Sequence, residues 1–150
     1  MRTVRVGALV ALVATVAAPV LARKSLVPIE HRGRSLVIEA TINQRLTGRF
    51  LLDTGASYCV VSKDVAAEAG LSGRKDGPKA KLATAGGIIV EATIGEARRV
   101  DVGSAVARDV QVAVVENNPL PGLQGVIGLS FLQNFKYSID SDNRELMLEN

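Results

Sequence analysis

The sequence predicts an all-β domain, and two observations favour that class. Short runs rich in Val, Ile, Leu and Thr recur along the chain, separated by glycine or by polar turn residues. Only one stretch, residues 62–70, has the pattern of a full helix. The predicted strands, in chain order, are Leu26–Glu30, Leu36–Ile42, Arg49–Leu52, Cys59–Val61, Ala80–Thr84, Ile88–Ile94, Arg98–Val102, Val110–Val115, Tyr137–Ile139 and Glu145–Leu148.

Two short helices complete the predicted elements. Ser62 can cap a helix that runs through Ala69, and Gly70 is a typical residue for ending it. A second, shorter helical turn is predicted at Leu129–Asn134. Residues 117–122 contain two Asn and two Pro, so we expect an irregular loop there.

The first 22 residues predict a targeting segment that precedes the fold. Arg2 and Arg5 stand before an uninterrupted, mostly apolar run from Val6 to Ala22. This pattern is typical of a secretory signal peptide, and the run is nearly long enough to remain as a membrane anchor through residues 6–22. In either case we expect an exported chain with a single folded domain at residues 26–150.

Composition argues against several classes of function. Without residues 1–22 the chain keeps 16 basic residues against 15 acidic ones, so its charge does not indicate nucleic acid binding. Cys59 is the only cysteine, which prevents an intramolecular disulfide, and a buried position is expected for it. His31 is the only histidine and is flanked by charged residues, so we expect no metal site and no thiol–imidazole chemistry. No cofactor motif is present.

The segment Leu51–Ser57 is the most informative part of the chain, because it places Asp53 in a glycine turn between two apolar runs. Such a turn is expected to lie against the core, where a carboxylate needs a partner or a function. The simpler interpretation is that Asp53 only starts a turn and accepts hydrogen bonds from nearby backbone N–H groups.

Three further segments add to this motif. Val126-Ile127-Gly128 forms a second apolar pair that ends in glycine, ahead of the predicted helical turn. Thr84-Ala85-Gly86-Gly87 marks a glycine-rich turn between two predicted strands, and Phe135–Leu148 contains a closing hairpin. Together with Asp53-Thr54-Gly55-Ala56, these segments resemble the retropepsin-like aspartic proteases, in particular single-domain bacterial members with an N-terminal membrane-targeting segment.

The resemblance implies a small, closed, β-barrel-like fold with one short helix after the catalytic strand and one near the C-terminus. It implies a periplasmic location, either free after leader cleavage or anchored to the inner membrane. It also implies an aspartic endopeptidase that cleaves peptide or protein substrates without a metal or other cofactor.

The resemblance also assigns roles to residues. Asp53 would be catalytic, with Thr54, Gly55 and Ala56 forming the supporting turn. Such a site needs two Asp-Thr-Gly elements and this chain has one, so the second carboxylate is expected from another copy in a homodimer. Related pepsin-like enzymes carry Ser at the position of Ala56, so we expect a mildly acidic to neutral optimum rather than a strongly acidic one.

Two of the assigned segments keep simpler alternatives. Residues Ala85, Gly86 and Gly87 would form a flap over the substrate, or only a hairpin turn. Ile127 and Gly128 would pack beside the catalytic turn, although Gly128 could equally mark a break between strand and helix. For the whole domain, the alternative function is a protease-like module in the periplasm that binds peptides or proteins without cleaving them.

Overall fold

The computed structural model describes residues 23–71, 77–84, 87–118 and 120–150. Across these ranges the chain forms eleven strands and two short helices. The strands are β1 (Lys24–Pro28), β2 (Glu30–Arg32), β3 (Ser35–Ile42), β4 (Leu46–Leu52), β5 (Cys59–Ser62), β6 (Lys79–Ala83), β7 (Ile89–Val102), β8 (Ala105–Val115), β9 (Gly125–Ile127), β10 (Lys136–Asp140) and β11 (Glu145–Glu149). The helices are α1 (Lys63–Glu68) and α2 (Leu129–Leu132).

The strands form two sheets, and the larger one closes on itself. Its eight strands follow the order β2-β3-β4-β9-β5-β8-β7-β6, and an additional pairing of β3 with β7 completes a ring. The pairs that close it are Thr41 with Asp101 and Ile42 with Val100. Closure removes the edges of these strands, as in a small β-barrel. The predicted all-β fold, with one short helix after the strand and turn that carry Asp53 and one near the C-terminus, is confirmed.

Strand β9 has an unusual position because it lies between β4 and β5, which are close in sequence. It runs parallel to β4, with Leu52 opposite Ile127, and antiparallel to β5, with Val60 opposite Val126. A Cβ on Gly125 would lie 2.1 Å from the carbonyl oxygen of Val60, so only glycine permits this approach. The insertion brings β9 beside both ends of the Asp53 turn.

The smaller sheet has β11 in its centre, with β1 on one side and β10 on the other. Leu146 and Leu148 of β11 are fully buried, whereas the alternate residues of β11 are partly exposed. This alternation shows that one face of the sheet covers the core and the other faces solvent. The core is mostly aliphatic, with Phe50 and Phe131 as its largest fully buried side chains.

Helix boundaries agree well with the sequence. The Ser62 hydroxyl accepts a hydrogen bond from the Val65 N–H at 3.4 Å and caps α1. Gly70 adopts the left-handed conformation after the helix, with φ of 61°. Helix α2 is shorter than predicted and ends at Leu132. The described residues of 117–122 contain no strand or helix, as expected for that loop.

Strand β9 was not predicted as a strand, and β4 begins at Leu46, three residues before the predicted Arg49. Three further corrections concern β7, β8 and the first predicted strand. Strand β7 is continuous where two strands were predicted, because pairing with β8 continues through Gly95, opposite Val112. Strand β8 begins at Ala105, five residues earlier than expected, since it forms a hairpin with β7. The predicted first strand divides at Ile29, where the chain leaves the small sheet for the large one.

A signal peptide or a membrane anchor was predicted for residues 1–22, which lie outside the described residues. Within the described ranges, no helix is both long and apolar enough to span a membrane.

Candidate active site

Asp53 stands at the end of β4, where the chain leaves the sheet. Its backbone N–H donates to the carbonyl of Ile127 in β9 at 3.1 Å, which extends the parallel pairing by one residue. Its carboxylate oxygen Oδ1 accepts a hydrogen bond from the Gly55 N–H at 2.8 Å, and its carbonyl accepts one from Ala56 at 3.3 Å. This geometry agrees with the simpler interpretation of Asp53, in which the carboxylate starts the turn and accepts a hydrogen bond from a nearby backbone N–H group.

The tip of this turn is more exposed than the sequence predicted. Asp53 and Ala56 are half-buried, and Thr54 and Gly55 are exposed. The expectation that the whole turn lies against the core was wrong, because only its two ends enter the sheet. Within a single chain the carboxylate is thus partly open to solvent, and the exposed tip is available to a second copy or to a ligand.

Gly55 has a tight environment that involves the carboxylate itself. A Cβ at this position would lie 3.2 Å from Asp53 Oδ1, closer than an ordinary van der Waals contact. Glycine keeps the turn narrow, so that its N–H can point at the carboxylate.

Helix α2 holds the second half of the turn. The Leu129 N–H donates to the carbonyl of Ala56 at 2.8 Å, and the Ser130 N–H donates to that of Ser57 at 3.0 Å. These are N–H groups from the start of a helix, which have no partner inside the helix and are free for such contacts. The turn that carries Asp53 is therefore fixed by a segment that lies more than 70 residues later in the chain.

Gly128 makes this contact possible. A Cβ on Gly128 would lie 2.3 Å from the carbonyl oxygen of Tyr58 and 2.6 Å from that of Ala56, both backbone atoms that cannot easily move. The predicted place of Gly128 beside the turn agrees with these distances. Ile127, which precedes it, is fully buried and bonds the Asp53 N–H through its carbonyl. Gly128 also lies between the end of β9 and the start of α2. It therefore both packs beside the turn and separates the strand from the helix.

Ser130 is a supporting residue that the sequence did not single out. Its buried hydroxyl accepts a hydrogen bond from the Cys59 N–H at 2.8 Å and donates one to the carbonyl of Gln111 at 2.7 Å. One side chain thus joins β5, β8 and α2 just behind the turn. The sequence offered one signal for this role, a serine two residues after the glycine that follows β9. That signal does not reveal the hydrogen-bond partners, because they lie in distant parts of the chain.

The remaining polar candidates do not enter this site. Cys59 is buried, and burial raises the pKa of its thiol, so it has the properties of a core residue. His31 lies exposed on β2. Asp101 binds Arg99 through both carboxylate oxygens, and Asp140 caps the turn between β10 and β11. Among the residues described, no group of three potential metal ligands comes together.

The predicted flap corresponds to the hairpin between β6 and β7. The Thr84 N–H donates to the carbonyl of Ile88 at 2.9 Å, and the Gly87 N–H donates to that of Thr84, also at 2.9 Å. Gly87 has a left-handed φ of 76°. Ala85 and Gly86, the other two predicted flap residues, lie outside the described residues. Ile88 and Ile89 are 66% and 64% exposed, so the end of this hairpin presents apolar side chains to solvent.

A groove of about 420 Å³ lies along one side of the same hairpin. Its walls include Ile89 and Val90 of β7 and the ion pair between Lys63 and Glu116. Asp53 does not line it. The groove therefore lies beside the predicted flap rather than at the carboxylate.

Comparisons with known proteins agree with this arrangement. The family model for the gag-polyprotein putative aspartyl protease matches residues 38–134, a range that contains both the Asp53 turn and α2. No curated protein sequence matches the chain.

Two solved structures share the fold. One is a retropepsin-like aspartic protease from Rickettsia conorii, with a TM-score of 0.64 and 23% identity, covering 86% of this chain and 92% of that one. The other is the retroviral protease-like domain of Ddi1 from Leishmania major, with a TM-score of 0.55 and 20% identity, covering 78% of this chain and 90% of that one.

Proposed function

Because the chain belongs to the gag-polyprotein putative aspartyl protease family, which is retropepsin-like, we propose that it is an aspartic endopeptidase active as a homodimer. The observation that carries the proposal is the Asp53 turn. Its carboxylate is half-buried at the end of a strand, it is oriented by the Gly55 N–H, and the turn is held by α2.

The proposed mechanism uses the Asp53 carboxylates of two copies. Two carboxylates about 3 Å apart cannot both be ionised, so the pair holds one proton. The ionised member takes a proton from a water molecule while that water attacks the peptide carbonyl. The protonated member donates to the carbonyl oxygen, which gives a tetrahedral diol. The diol collapses when the first carboxyl passes the proton it took from water to the amide nitrogen, which leaves as the amine, while one hydroxyl of the diol returns a proton to the second carboxylate.

Other parts of the structure support the proposal. The exposed tip formed by Thr54 and Gly55 leaves room for the same turn of a second copy. The hairpin of β6 and β7 would serve as the flap, with its exposed isoleucines against the substrate. The substrate would be an extended peptide or protein segment. We further propose that residues 1–22 export the chain to the periplasm, where it is free or anchored to the inner membrane.

Peptide cleavage by separate variants tests the role of Asp53, and mixing of subunits then tests whether two copies share the site. The full chain is incubated with a diverse peptide library between about pH 4 and pH 7, beside Asp53→Asn and a surface control, Asp142→Asn. We expect cleavage by the unsubstituted chain and by the control only, with an optimum in this range because Ala56 offers no hydroxyl to the carboxylates. An optimum well below pH 4 would contradict the proposed role of Ala56.

Adding an excess of Asp53→Asn protein should then suppress the activity of the unsubstituted chain, because mixed dimers keep one carboxylate of the pair. Activity that is unaffected by the excess would exclude a shared pair. If the chain and Asp53→Asn bind peptides equally well and neither cleaves them, the domain is a binding module instead.

A further inference from the structure

The small sheet begins almost directly after the apolar run of residues 6–22. Arg23 is the only residue between that run and β1, which starts at Lys24. The start of β1 is fixed, because Lys24 pairs with Glu149 of β11 and the carbonyl of Arg23 accepts a hydrogen bond from the Asn150 N–H at 3.4 Å. The small sheet therefore follows the apolar run without a linker.

This short connection limits how far the small sheet can lie from a bilayer that holds residues 6–22. An extended chain advances at most about 3.6 Å per residue, so Lys24 lies within about 7 Å of Ala22. The headgroup layer on each side of a bilayer is about 5–8 Å thick. With Ala22 at the edge of the hydrocarbon, the Lys24 end of the small sheet therefore lies among the lipid headgroups.

The outer face of the small sheet carries an apolar row close to this end. Leu26 of β1 lies opposite Met147 of β11, which in turn lies opposite Ser138 of β10. Leu26 is 53% exposed, although its neighbours Ser25 and Val27 are buried on the other face. The row therefore points away from the core and presents a large apolar side chain to solvent.

Charge is separated along the same sheet. The end at which the chain enters carries three basic residues and one acidic residue, namely Arg23, Lys24, Lys136 and Glu149. The opposite end carries three acidic residues and one basic residue, namely Asp140, Asp142, Glu145 and Arg144. Hydrogen bonds from Asn143 lower the pKa of Asp140, which keeps this end negative. Anionic lipid headgroups attract the first end and repel the second.

Two orientations satisfy the short connection, and Leu26 distinguishes them. If the strands stood upright on the membrane, Leu26 would lie about 14 Å from Ala22, outside the headgroup layer. If the outer face lies toward the membrane, Leu26 and Met147 enter that layer, where apolar burial and charge attraction act together. A single exposed leucine is ordinary on a protein surface, but this one shares its face with two lysines beside the apolar run.

We propose that the outer face of the small sheet is a membrane-docking surface, formed by Lys24, Leu26, Lys136 and Met147, that lies on the anionic phospholipid surface of the bilayer holding residues 6–22. The two lysines contact headgroup phosphates, the two apolar side chains lie at the depth of the headgroups, and the turn at Asp142 points away. This inference rests on the membrane-anchored form of the proposed export and does not depend on catalysis. It gives the domain one orientation on the membrane instead of free rotation about its anchor.

Fluorescence quenching tests which residues meet the lipid. The full chain is synthesised without cells, so that residues 1–22 are retained, in the presence of vesicles of phosphatidylcholine and phosphatidylglycerol that carry nitroxide on their headgroups. A fluorophore is attached at Ser138→Cys, which is exposed in the row of Leu26, whereas the native Cys59 is buried and escapes labelling. Asp142→Cys, at the other end of the sheet, and Ile88→Cys, on the β6–β7 hairpin, are the controls. We expect quenching at Ser138 to be at least about twofold stronger than at either control.

Substitutions on the docking surface, measured with the Ser138 label, separate docking from simple tethering. Leu26→Asn and Lys136→Gln should each lower the quenching by about half, because they remove an apolar and a charged contact with the lipid. Ile89→Asn and Lys81→Gln are the matched controls, since both residues are exposed but lie on the β6–β7 hairpin, and they should leave the quenching unchanged. Vesicles of phosphatidylcholine alone should have the same effect as Lys136→Gln.

The results separate this inference from the proposed function. Equal quenching at Ser138, Asp142 and Ile88, or a chain that does not float with the vesicles, overturns the docking surface and leaves peptide cleavage by Asp53 intact. Quenching at Ser138 that persists when Leu26→Asn and Lys136→Gln are combined also overturns it, because the anchor alone then accounts for the proximity. If quenching is selective and sensitive to both substitutions while no peptide is cleaved, the docking surface stands and the proposed function fails.

Discussion

Replacing Gly128 with alanine tests whether the Asp53 turn depends on close packing against α2. The added Cβ would lie 2.3, 2.6 and 2.8 Å from three backbone atoms of Tyr58 and Ala56. Gly128 has an extended backbone, with φ of −113° and ψ of −166°, so alanine meets no conformational barrier there. Space alone decides the outcome.

The magnitude follows from what must move. Overpacking against a rigid neighbour costs about 1–3 kcal/mol, and weakening one of the two bonds from α2 to the turn adds about 1 kcal/mol. We expect the free energy of unfolding to fall by about 3 kcal/mol, which corresponds to a melting temperature about 10 °C lower for a domain of this size. Peptide cleavage should also fall under conditions in which the variant is still folded, because the displaced residues belong to the turn that carries Asp53.

Urea denaturation of the full chain in detergent measures the loss of stability, and peptide cleavage below the transition measures the loss of activity. Gly33→Ala is the contrasting variant, because Gly33 has a left-handed φ of 61° but no atom within 4 Å of a Cβ. Its cost should be about 1 kcal/mol, from backbone conformation only, with activity unchanged. A loss at Gly128 no larger than that at Gly33 would refute the packing argument.

Three further substitutions probe other contacts. Ser130→Ala should lower the free energy of unfolding in urea by about 2 kcal/mol, because two buried backbone groups lose the hydroxyl that bonds both of them. Ser138 is exposed, so Ser138→Ala should change the free energy of unfolding by less than about 0.5 kcal/mol. Equal effects of the two substitutions would show that the buried hydroxyl does not contribute to stability. Asn43 has φ of 52°, and its side chain bonds three backbone groups, two at the end of α1 and one in β7. We expect Asn43→Ala to lower the free energy of unfolding by about 3 kcal/mol and Asn43→Gly by about 1 kcal/mol less, because glycine adopts the left-handed conformation more easily; the reverse order would contradict this contribution of the backbone. Hydrogen bonds from Asn143 lower the pKa of Asp140 from its ordinary 3.8, so the ionised carboxylate stabilises the folded chain above that pH, and this stabilisation is lost as the pH falls through the folded pKa. We therefore expect the difference in free energy of unfolding between the unsubstituted chain and Asp140→Ala, measured in urea, to shrink between about pH 5 and pH 2. A difference that stays constant with pH would contradict this contribution of the carboxylate.

Local features of the fold were predictable because they depend on neighbouring residues. The alternation of β3 and β11, the Ser62 cap and the terminating Gly70 each follow from a few adjacent side chains. The continuity of β7 was not predictable, because the backbone pairs with β8 through a segment whose side chains give no strand signal. Strand pairing is a property of two segments, and a single segment encodes only part of it.

The Asp53 turn was found from its residues, yet its exposure was predicted incorrectly. Two apolar flanks indicated burial, and the structure places only those flanks in the sheet while the tip projects from it. Ser130 was overlooked for a related reason, since its hydroxyl binds Cys59 from 71 positions away in the chain. Neither arrangement has a signature that can be read from adjacent residues.

The sequence by itself determined the class of fold and the turn that holds Asp53, because each depends on composition or on a short local motif. Only the tertiary structure decided that α2 holds the Asp53 turn and that β9 lies between β4 and β5. The physical reason is that closing the ring of strands brings distant backbone groups within hydrogen-bonding distance, and which groups meet depends on the register of the whole ring.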